Sequence, residues 1–174
     1  MEELHWIDIK FEFNFPVEAF PNIIERVRGT PARLEELVRA CPPEILTRRP
    51  GRPGDEWSIQ EHVGHLHDLD ELHEGRLEDY EAGVDALRAA DMTNKKTYEA
   101  DHNANTVENL LDAFRAARMS FVARLEAMNA EMAGRTAIHP RLNKPMRVVD
   151  MAYFVAEHDD HHLAAITRLS RTLR

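Results

Sequence analysis

The chain carries a single cysteine, Cys41, so no disulfide can close within it, and a reducing, cytoplasmic setting is the expectation that follows. Glycine is sparse, with seven in 174 residues, which leans the composition toward helix. No apolar run lasts more than a few residues, so no segment reads as a membrane span. The start, Met1-Glu2-Glu3, is acidic and has no apolar secretory core, so no signal peptide is expected. Basic residues are outnumbered, 22 against 31 acids, for a formal charge of -9. The densest basic patches, Arg48-Arg49 with Arg52 and the Arg168 to Arg174 tail, are short. Such a chain repels phosphate backbones, which argues against a nucleic-acid partner. What is present is ordinary for a globular protein: 43% apolar and 30% charged residues, without repeats or low-complexity tracts. A chain of this length can bury a proper core, and the expectation is one domain over residues 1–174.

Apolar periodicity divides the chain into four long helical segments. Residues 1–20 stand apart as an N-terminal extension packed on the rest. Within them Phe11, Phe13 and Phe15 alternate with polar residues, which predicts a short extended segment laid against the body or a strand of period two. Pro21 to Cys41 reads as helix. Thr30-Pro31 in its middle allows two readings: Thr30 caps a new helix with Pro31 at its first position, or one helix is kinked there. Pro42-Pro43 ends it, and Thr47 to Glu56, rich in proline and glycine, reads as a loop. Ser58 and Glu61 have capping-box spacing and open a second helix from about Ile59 to about Ala89. Asp91 to Asn105 reads as a polar connection, and Thr106 opens a third helix. Gly134 and the segment His139 to Pro145 read as loop. Val148 to Leu169 reads as the fourth helix, with Asp150 in its first turn. The architecture expected is all-α, a four-helix bundle.

The fourth helix holds the most informative pattern. Its apolar stripe runs Met151, Phe154 and Val155, then His158 and His162, then Ala165, Ile166 and Leu169. Two imidazoles four residues apart project side by side where leucines are expected, and so can grip one divalent ion. The alternative is two hydrogen-bonded histidines in a polar patch of the core. Polar groups at helix-core positions are costly unless a partner or an ion satisfies them. A third ligand has to come from elsewhere, and the second helix carries His62, His65, His67 and His73. His65 neighbours Leu66, Leu69 and Leu72 and faces inward at the edge of the apolar face. His62 shares that general face and is a weaker alternative, while His67 points away toward solvent. Asp68 reads as an outer partner of His65 or a surface acid, and less readily as a base. Asp159 and Asp160 read as a solvated helix face, His161 as a pocket wall or surface residue, and Trp57 as core or pocket mouth.

Trp57-Ser58 followed by His65 and Asp68, with His158-Asp159-Asp160-His161-His162-Leu163 near the end, resembles the DinB/YfiT-like superfamily. The fragments His139 to Met146 and Arg26 to Leu34 are also similar to members of it. The resemblance covers roughly residues 20–172, and residues 1–20 lie outside it. It implies an up-down-down-up four-helix bundle, usually a homodimer. It implies a divalent ion, nickel or zinc, held by three histidines, which fall here on His65, His158 and His162. The chain departs from many relatives at Ala165, where a glutamine is frequent three residues after the last ligand.

Three neutral imidazoles leave open coordination positions, the mark of a catalytic rather than a structural site. The resemblance implies a metal-dependent enzyme acting on a small-molecule substrate, either a hydrolase that activates water or an S-transferase that activates a low-molecular-weight thiol. Catalytic residues beyond the ion are not assigned. The competing reading is a non-enzymatic, stress-related module that binds a metal or a ligand.

Overall fold

The computed structural model describes residues 4–51 and 57–173. Its helices are α1 (Phe20–Arg39), α2 (Pro43–Leu46), α3 (Ile59–Ala82), α4 (Lys95–Glu99), α5 (Val107–Glu126), α6 (Ala130–Ala133) and α7 (Val148–Thr172). Strands β1 (Thr136–His139) and β2 (Lys144–Arg147) form an antiparallel hairpin, with Thr136 opposite Arg147 and His139 opposite Lys144. Short 3-10 turns lie at Trp6–Asp8, Val17–Ala19 and His102–Ala104. Four long helices, α1, α3, α5 and α7, make the bundle.

Contacts between the helices fix their directions. Arg26 meets Glu157 and Arg33 meets Asp160, so α1 and α7 ascend together. Asp70 meets Arg118 and Glu74 meets Arg124, so α3 and α5 also run parallel to each other. Glu35 with Arg115 and Arg39 with Glu108 show α1 antiparallel to α5. His62 against His162 and Tyr80 against Met146 show the same of α3 and α7. The order is therefore up, down, down, up. Parallel successive helices need long crossovers, which the connection over residues 83–106 supplies.

The helix ends follow their local chemistry. The Ser58 hydroxyl accepts from the Glu61 amide at 3.1 Å, and the Glu61 carboxylate accepts from the Ser58 amide at 2.8 Å, the reciprocal cap expected. At α5 the Thr106 hydroxyl accepts from the Asn109 amide. Helix α3 stops at Ala82 rather than near Ala89 because Gly83 adopts a left-handed conformation with φ of 69°. The Val84 amide then donates back to Asp79. In α1, Thr30 caps nothing: one helix continues through Pro31. The loop predicted over Thr47 to Glu56 lies partly outside the described residues, and 47–51 carry no regular element.

Two expectations need correction. The connection over Asp91 to Asn105 holds α4 and a 3-10 turn that dock on α3. The loop predicted over His139 to Pro145 spans the hairpin turn and takes in the end of β1 and the start of β2. Asn143 supports the tight turn with φ of 49°, and its amide donates to the His139 carbonyl at 2.8 Å.

Among the described residues the N-terminal segment is extended but pairs with no strand. Phe11 is buried, Phe13 and Phe15 are half-buried, and the residues between them face out. Its carbonyls are served by side chains: Lys144 donates to Phe11 at 3.2 Å and Arg147 to Phe15 at 2.9 Å. The segment ends over the bundle with Trp6 edge-on to His158.

The core is split. One apolar cluster holds Leu77, Phe121, Met151 and Val155, and a second holds Leu34, Leu66, Phe114 and Ile166. Burial of each such side chain stabilises the fold by about 1.5–3 kcal/mol. Between the clusters every long helix contributes polar groups that are buried: Thr30, His65, Asp70, His73, Arg118, His158, Asp159 and His162. That polar layer positions the site.

Candidate metal centre

Helices α3 and α7 cross antiparallel at the polar layer, which brings His65 against the His158–His162 pair. One ring nitrogen from each of the three lies within 4.8 Å of the others, and all three residues are buried. The Nε2 atoms of His158 and His162 are 3.1 Å apart. Two ligands about 2.1 Å from one ion sit roughly 3.0–3.4 Å from each other, so this spacing fits a shared cation. Burial, reinforced by neighbouring positive groups, drives the His158 and His162 pKa values well below the ordinary imidazole range. Burial does the same to His65, which falls to about 3. Three imidazoles that stay neutral offer lone pairs, the form a metal requires.

Hydrogen bonds orient the rings. The Thr97 hydroxyl donates to Asp68 at 2.9 Å, so its oxygen accepts from His65 Nδ1–H at 3.0 Å. That leaves His65 Nε2 with its lone pair toward the other two histidines. Burial works against ionisation of Asp68, but hydrogen bonds from His102 and Thr97 outweigh it and hold its pKa below the usual range. His102 Nε2 donates to Asp68 at 2.8 Å. Gln60 pins the turn that carries His102, donating to the carbonyls of His102 and Asn105 at 2.7 Å each. A Cβ added at Gly64 would overlap the His102 ring, so glycine is required there for this close approach.

His62 faces His162 from the far side, Nδ1 to Nδ1 at 2.8 Å, and so supports that ring from behind. His67 is half-buried rather than solvated, and it has no place in the three-histidine group. His161 and Trp57 line the adjoining cavity, and the Trp57 ring lies 4.5 Å from that of His65. Sequence reasoning missed Thr97 and His102. Both lie in the stretch read as a featureless connection, and only the crossover brings them to Asp68.

Asp159 is not on a solvated face. It is fully buried, accepts from the Thr30 hydroxyl at 2.7 Å, and takes two guanidinium nitrogens of Arg118. Asp160 is half-exposed and pairs with Arg26 and Arg33. Arg118 also donates from Nε to Asp70 at 3.0 Å. Its pKa is raised, because the two acids more than offset the cost of burial.

The cavity against the histidines has a volume of about 460 Å³. Its lining includes Trp6, Trp57, Leu69, Leu72, Phe154 and His161. A cavity of this size suits a small molecule.

Fold and site together are a parallel-paired four-helix bundle with three histidines gathered in its core. The DinB superfamily model matches residues 26–166, and the chain belongs to that superfamily. Among solved structures it is similar to YfiT from Bacillus subtilis, described as a probable metal-dependent hydrolase with an unusual four-helix bundle topology. Identity is 22%, 95% of this chain and 93% of that one are covered, and the TM-score is 0.76. It is also similar to the colibactin self-resistance protein ClbS, solved in complex with a dsDNA, at 15% identity, 88% and 95% coverage and a TM-score of 0.63. No curated protein matches it. At these identities the likeness carries the fold alone.

Among the described residues no helix is long and apolar enough to cross a membrane.

Proposed function

We propose that the protein is a metal-dependent enzyme that holds one divalent ion through His65, His158 and His162 and hydrolyses a small molecule in the adjoining cavity. The observation that carries this reading is the convergence of three neutral imidazoles on the wall of a cavity, each able to offer a ring nitrogen within 4.8 Å of the other two. The donor set fits nickel or zinc, the ions the family resemblance implies. Bound there, such an ion supplies Lewis acidity and lowers the pKa of water toward about 7.

The chain's own residues have separable tasks. Thr97 and Asp68 fix the tautomer and tilt of His65, and His62 holds His162. Trp57 and Trp6 wall off the rings from bulk water on two sides. Hydrolysis is taken over thiol transfer on the likeness to YfiT, described as a probable metal-dependent hydrolase, and a cavity of about 460 Å³ accommodates a small molecule and water. The homodimer implied by the resemblance belongs to the same reading and is read by light scattering.

The test is direct. Metal-loaded protein is incubated with monobromobimane and several small thiols. Conjugation at the uncatalysed rate is the expected result, and thiol-dependent conjugation above it would replace hydrolase by S-transferase. A protein without stoichiometric metal would return the reading to a binding module.

A further inference from the structure

The cavity continues along α3 past the histidines to a second group that the metal centre does not use. Arg76 lies 11 residues after His65 on the same helix face, about 16 Å further along the axis. It is 2% exposed, and among the described residues its one hydrogen bond is from Nε to the Arg88 carbonyl at 3.2 Å. Among the described residues no carboxylate forms an ion pair with it. The nearby Asp79 is already taken by Arg88. Arg141, on the hairpin turn, lies over the rings of Trp6 and Phe154, and its buried Nη2 has no partner. His139 is 2% exposed. Its Nδ1 accepts from the Leu142 amide at 3.2 Å, so in the neutral ring the proton sits on Nε2, a buried donor without an acceptor. Arg76, Arg141 and His139 all line the same cavity as the three histidines.

Buried cations are ordinarily paired, and buried donors ordinarily bonded. Here two guanidinium groups and an imidazole N–H line one cavity whose acid, Asp91, accepts from the Thr93 amide and hydroxyl and from the Lys95 amide, in a chain whose net charge is -9. Burial lowers the Arg76 pKa to about 10, still charged at neutral pH. Burial, with the two arginines adding to it, brings His139 to about 4, so its Nε2–H remains a neutral donor. An acceptor of opposite charge would satisfy all three.

We propose that Arg76, Arg141 and His139 form an oxyanion-binding subsite that takes a carboxylate or similar anionic group of the substrate, while the rest of the molecule extends along the apolar wall toward the three histidines. The substrate class is thus a small, largely apolar anion. This rests on the reading of the histidine cluster as the reaction centre, but anion binding itself requires no metal.

Both tryptophans of the chain line this cavity, so intrinsic fluorescence reports its occupancy. The probe pair is phenylacetate and phenylacetamide, titrated into the protein as purified. Phenylacetate is expected to give a saturable change, with the amide weaker by about tenfold or more. Arg76→Met and Arg141→Gln are each expected to weaken phenylacetate by about tenfold or more. Both are expected to keep wild-type metal content and helical circular dichroism. Arg141→Gln lies outside the helices, so it stands in should Arg76→Met fail to fold. His158→Ala is expected to keep phenylacetate binding while losing metal. Equal binding of acid and amide, no saturable change, or unchanged affinity in both arginine variants would overturn the subsite. So would loss of binding in His158→Ala alone, which would place the carboxylate on the histidine cluster. Intact anion binding in a protein that holds no metal would refute the metal centre and leave the subsite standing.

Discussion

Two buried polar groups share the middle layer of the bundle, and they differ in completeness. Around Arg118 the account closes from within: Asp159 takes two of its nitrogens, Asp70 takes the third, and Thr30 donates to Asp159. Arg118 and Asp159 are fully buried and do not line the cavity beside the histidines. A few ångströms along α7 the histidine group does not close. His158 Nδ1 is buried without a partner, and so are both ring nitrogens of His73. Buried polarity by itself therefore does not mark a functional site. In the first group the guanidinium is satisfied by the fold, although Asp70 Oδ2 stays without a partner, and the group spans three helices, α3, α5 and α7, with α1 reaching it through Thr30. The second gathers ring nitrogens of three histidines at a cavity wall, the arrangement that the proposed ion would use.

That contrast can be broken from either side. The largest effect is expected in the closed group. Asp159→Ala strands a fully buried guanidinium and should cost about 3–5 kcal/mol of stability, read by urea unfolding. Metal content in the surviving folded protein should stay near wild type. A loss below 1 kcal/mol would show that Arg118 finds another partner. In the open group, Thr97→Val should leave the fold intact but free the His65 ring, weakening metal binding about 10–100-fold in a competitive chelator titration. Equal affinity would mean that the Thr97–Asp68–His102 chain does not orient the ligand.

A smaller, pH-dependent effect separates the two acids on Arg118. Burial raises the Asp70 pKa to about 7, against the pull of Arg118, and its second oxygen has no partner. The unfolded carboxyl titrates near its ordinary value of about 3.9. The folded state therefore holds this proton more tightly. Its contribution to stability is full below about pH 4 and is lost as pH rises through about 7. Asp70→Asn should flatten that part of the stability profile, and a slope unchanged from wild type would contradict it. The smallest effect is expected at His67, half-buried and outside the cluster: His67→Ala should leave metal content unchanged.

Much of the bundle was legible in the residues, because its signals are local. The Ser58–Glu61 cap, the apolar stripe of α7 and the i, i+4 histidines each need only one helix to be read. The Gly83 stop is also local, yet the apolar pattern running past it to Ala89 obscured it. The hairpin was hidden by prolines at 140 and 145, which read as loop. What stayed out of reach is tertiary. Asp159 looks like a surface acid until Arg118 arrives from α5. Thr97 and His102 look like linker until α4 docks on α3. His65 itself was singled out as a ligand by family resemblance, since one inward histidine among four on α3 carries no mark of its own.

The central claim is that His65, His158 and His162 share one ion. Elemental analysis of freshly purified protein, side by side with His158→Ala, tests it most directly. About one equivalent of nickel or zinc per chain in the wild type and essentially none in the variant is the result expected of a three-histidine site. Equal metal content in the two proteins would contradict it.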